Sequence, residues 1–333
     1  MATMRDVAAK AGVSAKTVSR VFNNDVHVLP ETRALVTQAM HDLNYTPNGL
    51  ATTFRAGRAS VIGVAVPDIV DPFFAAIARS VEEVARTHGM STLVASLGNN
   101  PDDERSALES LLSRQLSGLI VAPVGRDHSW LNRWQAGTPV VFVDREPIGI
   151  TADTFTENDE IGAYTATGHL IDHGHHRIAY FGDMIHLSTE ANRLDGWRRA
   201  LTERGFSPDP ELITVYVSDR ARAQAAIDRL LALPDPPTAL FSSNALSTMH
   251  LIHTRHEREF AYLGFGDFPL ADMLDPAVTV IDQDPHRLGR LAADRVVTRL
   301  HNPDSPVQQH TVMDVSLIER DSCRLGSTPA SDT

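Results

Sequence analysis

The sequence predicts a multidomain chain: an all-α helix-turn-helix head joined to an α/β core of two lobes built on parallel sheets. Three observations carry this. Residues 6–22, "DVAAKAGVSAKTVSRVF", hold two short helical runs broken by Gly-Val-Ser. From Ser60 onward, short apolar runs alternate with amphipathic stretches, the pattern of a doubly wound sheet. That alternation occurs as two comparable series in tandem, which implies a cleft between two units.

Composition sets the bounds. A chain of 333 residues, 42% of them hydrophobic, accommodates one small and one or two medium domains. No apolar run approaches the ~18–20 residues of a membrane-spanning helix. Met1 to Lys10 contain no apolar core of a secretory signal, and Cys323 is the single cysteine, so no internal disulfide and a cytoplasmic setting are expected. The formal charge is −12. Residues 1–60 carry seven Lys/Arg against four Asp/Glu, net +3, which leaves −15 to the remainder. Both lysines, Lys10 and Lys16, lie in that stretch. A mildly basic head on an acidic body suits a polyanion-binding module attached to something else.

In the head, Thr3 followed by Asp6 predicts a capping box with Asp in place of Glu, opening a helix from about Met4 to Lys10 with Val7, Ala8 and Ala11 inward. Gly12 ends it in the left-handed conformation. Ser14 caps a second helix, on which Val18, Val21 and Phe22 form one apolar stripe. After Pro30, Leu35, Val36, Ala39, Met40 and Leu43 recur at helical spacing and give a third helix. A helix, a Gly-containing turn and a second short helix are the elements of a helix-turn-helix, whose second helix enters the major groove of DNA. Ala15, Lys16 and Arg20 then face base edges, where Arg or Lys donates to guanine and Ala meets a thymine methyl. Ser14, Thr17 and Ser19 carry short hydroxyls suited to phosphates.

"MRDVAAKAGVSAKTVSRVFNN" and "ETRALVTQAMHDLNYTPNGLA" closely resemble the lactose-repressor (LacI/GalR) family of bacterial transcription factors, and the resemblance extends over roughly residues 3–320. It implies a head at 1–46 and a hinge helix at 47–59 that orders on operator DNA. Within "YTPNGLATTFRAGRAS", Pro47 opens the hinge, and Leu50, Ala51 and Phe54 share a face. Phe54 occupies the position of the family's minor-groove wedge, which kinks the duplex. Asn48 and Arg55 complete the predicted DNA-contacting set, and Arg58 is placed near phosphates.

In the core, predicted strands are 61–66, 91–96, 118–123, 139–144, 177–182, 212–217, 238–243 and 260–266. Helices are predicted near 74–88, 102–116, 159–173, 191–204, 220–232 and 245–257. The resemblance implies a periplasmic-binding-protein-like core crossed three times by the chain. It places 60–158 with 284–309 in the first lobe and 159–283 with 310–320 in the second; "VTVIDQDP" (278–285) and the helix after it lead back to the first. Residues 321–333 are expected to be a disordered polar tail.

Ligands bind at the carboxyl ends of such strands. Strand ends and the family pattern together single out Phe73, Phe74, Asp144, Phe155, Arg193, Asn244, Asp267 and Gln283 as effector contacts. Arg193 matches the family arginine that donates to effector hydroxyls or carboxylates. Three departures qualify the effector. Gly266 stands where the family often has the first of two acids, Ala245 replaces an acid after the strand-end Asn, and the stretch from Leu246 to Phe260 is short. Fewer carboxylates weaken the expectation of a neutral sugar and strengthen a sugar acid, a sugar phosphate or no effector.

His169 and His173 stand i, i+4 on a predicted helix, but no acid follows at a regular metal-ligand spacing, so no metal is assigned. His250, His253 and His256 drift around their helix and read as a solvated face. "GFGDFP" lacks the third glycine of a phosphate loop, and no nucleophile or hydrolase motif occurs. No cofactor and no catalytic residue are therefore expected. The expected function is a DNA-binding transcriptional regulator, a homodimer on a pseudo-palindromic operator, controlled by a carbohydrate-derived effector and not associated with membranes. The tail carries no leucine heptad, which points to a dimer over a tetramer. Two alternatives stay open: a regulator or architectural binder with an empty cleft, and an α/β enzyme with an accessory DNA-binding head.

Overall fold

The structure, a computed structural model, describes residues 3–22, 25, 27–43, 60–135, 137–254, 260–307 and 310–324. The chain divides into two compact units, Met1–Ser60 and Val61–Thr333.

The first unit is α1 (Met4–Ala11), α2 (Ala15–Phe22) and α3 (Pro30–Asp42). The capping box forms: Thr3 Oγ1 accepts from the Asp6 N–H at 3.3 Å while Asp6 Oδ2 accepts from the Thr3 N–H at 2.7 Å. Gly12 stops α1 at φ 65°, and the Val13 N–H reaches back to the Ala8 carbonyl at 3.0 Å. Ser14 Oγ then accepts from the Thr17 N–H at 3.1 Å and starts α2. Val7, Ala8, Val18, Val21, Val36 and Ala39 are the buried core between the three helices. Leu35 departs from the predicted stripe: it is 58% exposed, because a 13-residue helix turns one apolar residue away from a small core. The hinge at 47–59, with Asn48, Leu50, Ala51, Phe54, Arg55 and Arg58, lies outside the described residues.

The second unit begins β1 (Val61–Val66), α4 (Pro72–Thr87), β2 (Ser91–Ser96), α5 (Pro101–Leu112), β3 (Gly118–Val121), α6 (Asn132–Gln135), β4 (Val140–Val143) and β5 (Asp153–Glu157). It continues α7 (Asp159–Asp172), β6 (Ile178–Phe181), α8 (Ser188–Glu203), β7 (Ile213–Thr214), α9 (Arg220–Leu231), β8 (Ala239–Ser242), α10 (Ala245–Ile252), β9 (Ala261–Phe265) and β10 (Thr279–Asp282). α11 (Pro285–His301), β11 (Thr311–Met313) and β12 (Ser316–Ile318) complete it. One sheet has the order β11-β5-β4-β3-β1-β2 and the other β12-β10-β9-β8-β6-β7. Every pairing is parallel except β10 with β12.

Parallel strands need crossovers, and the sequence starts several of them the same way: an acceptor side chain, then proline. Asp71-Pro72, Asn100-Pro101 and Asp284-Pro285 open α4, α5 and α11, each cap residue accepting a backbone N–H two or three residues on. Each sheet is then buried on both faces. Phe74, Ile77 and Val81 of α4 and Leu288, Ala292 and Val296 of α11 cover one face of the first sheet; Leu108, Leu111 and Leu112 of α5 cover the other. In the second lobe Trp197, Tyr180, Phe241 and Phe265 form an edge-to-face chain with centroids 5.8–6.5 Å apart.

The structure corrects several boundaries. "DTFTE" is a central strand, β5, although its polar residues hide it; all five are buried. β11 pairs with β5 in the first lobe's sheet, so 311–313 leave the second lobe, to which 310–320 had been assigned. The strand in "VTVIDQDP" stays in the second sheet beside β9, and only α11 crosses back. β7 has two residues where six were predicted: Tyr216 adopts φ 63° and turns the chain away from the edge. α10 ends at Ile252, and residues 255–259 lie outside the described set. Ser322 and Cys323, expected in a disordered tail, are buried; the Ser322 N–H donates to the Ala277 carbonyl at 2.9 Å.

A buried ion pair locks the first lobe. Asp153 of β5 accepts from Arg295 Nε at 2.7 Å and from Arg299 Nη1 at 2.8 Å, and Arg295 Nη1 also donates to Ser305 Oγ at 2.9 Å. Truncating one member strands the other charges in the interior. Asp153→Ala is expected to lower the stability of the core by about 3–5 kcal/mol in denaturant titration. A loss under about 1 kcal/mol would show that water reaches the arginines.

Candidate functional site

On α2, the buried Val18 and Val21 define one face, and the predicted DNA contacts occupy the remainder. Lys16 and Arg20, one turn apart, are exposed; Ala15, Thr17 and Ser19 are half-buried. Ser14 is exposed, and its Oγ lies 2.9 Å from Thr17 Oγ1, so the two hydroxyls share a hydrogen bond at the helix start. Arg20 Nε donates to Asp25 Oδ2 at 2.8 Å. That bond, with the His27 N–H next, draws the Asp25 carboxyl down to about 2. A solvated pair of this kind is weak, so the guanidinium exchanges partners at little cost.

The core carries a polar cleft between its lobes. Phe73, Phe74, Asp144, Arg193, Asn244 and Gln283 all line it, and none of these is adjacent to another in sequence except the two phenylalanines. Phe73 and Phe74 open α4 and meet edge-to-face, centroids 5.1 Å apart. Asp144 follows β4 in the left-handed region, φ 68°, a conformation that Asp tolerates and that turns its buried carboxylate toward Arg145 Nε at 3.0 Å. Asn244 caps α10 through a bond from the Ser247 N–H at 2.8 Å.

Arg193, on α8, is the most confined group. Its Nε and Nη2 each lie 2.7 Å from Asp159 Oδ1, its Nη1 donates to the Ser243 carbonyl at 2.7 Å, and its guanidinium carbon sits 4.0 Å above the Phe265 ring. Burial works against the charge, but Asp159, Asp144 and Glu190 around it hold the guanidinium above arginine's usual value.

Two predicted contacts do not reach the cleft. Phe155, in mid β5, points into the first lobe's core with Val141, Val143 and Met313. Asp267 turns outward and takes Arg320 in a fork, with Nη1 at 3.1 Å and Nη2 at 2.7 Å. At Gly266 before it, φ is 89° and a Cβ would lie 3.0 Å from Gln283 Oε1, so an acidic side chain at that position would be strained.

Sequence reasoning missed most of the acids. Asp68, Asp71, Asp183 and Glu190 also line the cleft, beside Arg145 and Asn99, and His250, read as a solvated face, stands on its wall. Asp183 follows the end of β6 much as Asp144 follows β4, a signal that the strand-end rule could have used. Glu190 accepts from Tyr180 Oη at 2.6 Å and from the Asp183 N–H at 2.9 Å. Beneath the cleft, Glu157 at the end of β5 is buried, and neither carboxylate oxygen has a hydrogen-bond partner among the described residues. Burial pushes the Asp71 carboxyl up to about 6, against the pull of the Phe73 N–H, and pushes Asp159 up to about 7 against the pull of Arg193. Burial, then the neighbouring Asp144 and Asp159, raises Glu157 well above the carboxylate range.

Comparison with known proteins decides the identity of this architecture. The profile of bacterial regulatory proteins, lacI family, matches residues 3–48, and that of periplasmic binding proteins and the sugar binding domain of the LacI family matches 59–324. The chain belongs to the LacI family. This LacI-family protein is 32% identical over 308 residues to the HTH-type transcriptional repressor PurR of Photobacterium profundum, covering 90% of this chain and 92% of that one. Among solved structures it is similar to the lac repressor dimer bound to operator and the anti-inducer ONPF, with a TM-score of 0.80 and 26% identity over 97% of this chain and 99% of that one. It is also similar to the transcriptional regulator CelR–cellobiose complex, with a TM-score of 0.69 and 26% identity over 97% and 100%. The protein is a DNA-binding transcriptional repressor of this family with an effector-binding domain.

The acid-rich floor has a consequence for stability. Carboxyls raised in the folded state take up protons that the unfolded chain has already released, so their contribution is full below about pH 4 and fades as pH rises toward 7. Glu157→Gln removes one such group without a change of shape. The variant is expected to unfold at a higher denaturant concentration than the parent at pH 8, by at least about 1 kcal/mol, with the gain shrinking as pH falls and vanishing below about pH 4. An equal effect at both pH values would show that Glu157 does not titrate with folding.

Proposed function

We propose that this LacI-family repressor is a cytoplasmic homodimer. Ser14, Ala15, Lys16, Thr17, Ser19 and Arg20 of each copy meet one half of a pseudo-palindromic operator, with the hinge residues Asn48, Leu50, Ala51, Phe54 and Arg55 reaching the minor groove between them. Two copies double the few base pairs that one short helix reads. The curated relatives are repressors, and the lac repressor has been solved as a dimer on its operator, which supports this reading over an enzyme with an accessory head.

We further propose that the effector is a neutral, polyhydroxylated molecule of carbohydrate type, held by Phe73, Phe74, Asp144, Arg193, Asn244 and Gln283. The observation that carries this is charge. Five carboxylates, Asp68, Asp71, Asp144, Asp183 and Glu190, line the cleft against the two guanidinium groups of Arg145 and Arg193. Carboxylates accept hydrogen bonds from hydroxyls, whereas a sugar acid or sugar phosphate would bring its charge against them. The acids that the resemblance implied at 266 and 245 are thus replaced from the segments after β1, β4 and β6 and from the first turn of α8. The similarity to a regulator solved with cellobiose supports the same class.

Two measurements test these assignments. Calorimetry against neutral sugars, sugar acids, sugar phosphates and nucleobases is expected to give binding in the first set; Gln283→Ala, at a cleft side chain whose Nε2 has no hydrogen-bond partner among the described residues, should weaken that binding about tenfold or more while operator affinity without ligand stays within about twofold. Binding confined to an anionic compound or a nucleobase would remove the neutral-sugar assignment. Arg20→Ala should cut discrimination between operator and random DNA about tenfold or more, with a smaller loss on random DNA. Undiminished discrimination in gel-shift titration would place base readout elsewhere.

A further inference from the structure

The end of α7 and the strand segment after β12 bring together three side chains with metal-ligand chemistry. His169 lies in the last turn of α7, His173 is its C-cap, and Glu319 follows β12. The sequence offered the histidine pair but no acid at a regular spacing; the fold supplies the acid from far down the chain. One ligand atom from each of the three lies within 4.8 Å of those of the other two. The imidazole rings are 4.4 Å apart, centroid to centroid, and His173 Nε2 lies 3.8 Å from Glu319 Oε1.

Three details set this group apart from a solvated cluster. His169 Nε2 is buried and has no hydrogen-bond partner among the described residues. A buried polar atom of this kind carries a desolvation cost unless something occupies it. His173 Nδ1 lies 2.9 Å from the His169 carbonyl, which accepts a hydrogen only if Nδ1 carries it. That bond fixes the tautomer and leaves the Nε2 lone pair free toward Glu319, the arrangement that orients metal-bound histidines in general. The remaining acid nearby, Asp172, is engaged by Arg204 Nη1 at 2.6 Å, so the charge facing the pair is that of Glu319.

We propose that His169, His173 and Glu319 form a binding site for one divalent first-row transition ion, zinc foremost. Two imidazoles and one carboxylate suit zinc over magnesium or calcium, which prefer oxygen ligands alone. Zinc holds such ligands at about 2.0–2.2 Å, which sets them about 3.3–3.6 Å apart in a tetrahedral arrangement. The carboxylate closes on the two histidines by rotation of Glu319, whose side chain is 54% exposed. Water fills the fourth position on the solvent side. The ligands come from α7 on one side and the segment after β12 on the other, so the ion's role is to clip the β12 edge to α7. It would thereby steady the segment whose next residue, Arg320, grips Asp267 beside the Gly266 turn.

The full-length protein, stripped with EDTA, is titrated with zinc chloride by calorimetry and with cobalt(II) chloride by visible absorption. One zinc per chain at micromolar affinity or tighter is expected, with a cobalt d–d band of four- or five-coordinate intensity and a rise in Tm on adding zinc. Glu319→Gln and His173→Ala should each weaken zinc at least tenfold and abolish the cobalt band. His88→Ala, at a second histidine pair with His301, should leave both unchanged. Glu319→Gln alters a surface side chain, so an EDTA-state Tm equal to the parent's separates loss of a ligand from loss of the fold. Zinc binding equal in parent, Glu319→Gln and His173→Ala, or no stoichiometric binding by the parent, overturns the site.

Discussion

Arg193 is the group around which the second lobe is organised. A guanidinium in the interior is tolerated only if nearly all its donors are answered, and here α7 answers with Asp159, the end of β8 with the Ser243 carbonyl and the end of β9 with the face of Phe265. Those partners stand at the start of α7 and at the ends of the neighbouring strands β8 and β9, so the arginine ties the helix to both strand ends. The backbone follows. Asn158 caps α7 directly before Asp159, and Asn244 caps α10 directly after Ser243, which fixes both partners on rigid starts of helices. At the carboxyl edge of the second sheet this one side chain adds polar ties to the apolar core behind it.

The first lobe solves the same problem differently. Its central buried charge is Asp153, held by two arginines of α11, a helix contributed by the second crossing of the chain. That bond explains why a polar segment such as "DTFTE" becomes an inner strand: the acid finds its cations across the layer, and β4 and β11 satisfy its backbone on either side. It also ties residues far apart in sequence, so the first lobe is completed by a segment that follows most of the second.

How much of this was legible in the sequence follows from how local each signal is. The head was readable residue by residue because its determinants, Thr3 with Asp6, Gly12 and Ser14, act within four residues of one another. Long apolar strands such as β1 and β2 were readable to the residue for the same reason. The three-residue β11 and β12 carry too little pattern to assign, and their partners are set by the chain's return, which no window of sequence contains. In the cleft, the strand-end rule found Asp144 and Asn244 but misplaced Phe155, because alternation along a strand assumed to lie near a crossing cannot tell which face is inward. Asp267 failed on a φ angle: Gly266 in the left-handed region redirects the next side chain toward Arg320. The acids Asp183 and Glu190 were overlooked because the resemblance implies carboxylates at positions 245 and 266, and the cleft acids of this chain stand elsewhere.

That displacement bears on how the cleft responds. Asp71 and Asp144 reach it from the first lobe, and Asp183 and Glu190 from the second. Direct polar contact across the gap among the described residues is slight; Arg145 Nε to Thr189 Oγ1, at 3.5 Å, is its clearest instance. Like charges facing each other across a narrow gap resist its closing, and the resistance grows as water leaves. A molecule that donates several hydrogen bonds without adding negative charge relieves the repulsion from both sides at once. Its affinity for the closed arrangement then exceeds that for the open one, which is the condition a ligand must meet to shift a two-state equilibrium. Protons can do part of the same work, since the groups most opposed to closure are those whose carboxyls burial has already moved toward neutrality. In the function proposed above, the carboxylates that face one another across the cleft are the means by which effector binding would be converted into a change of lobe geometry.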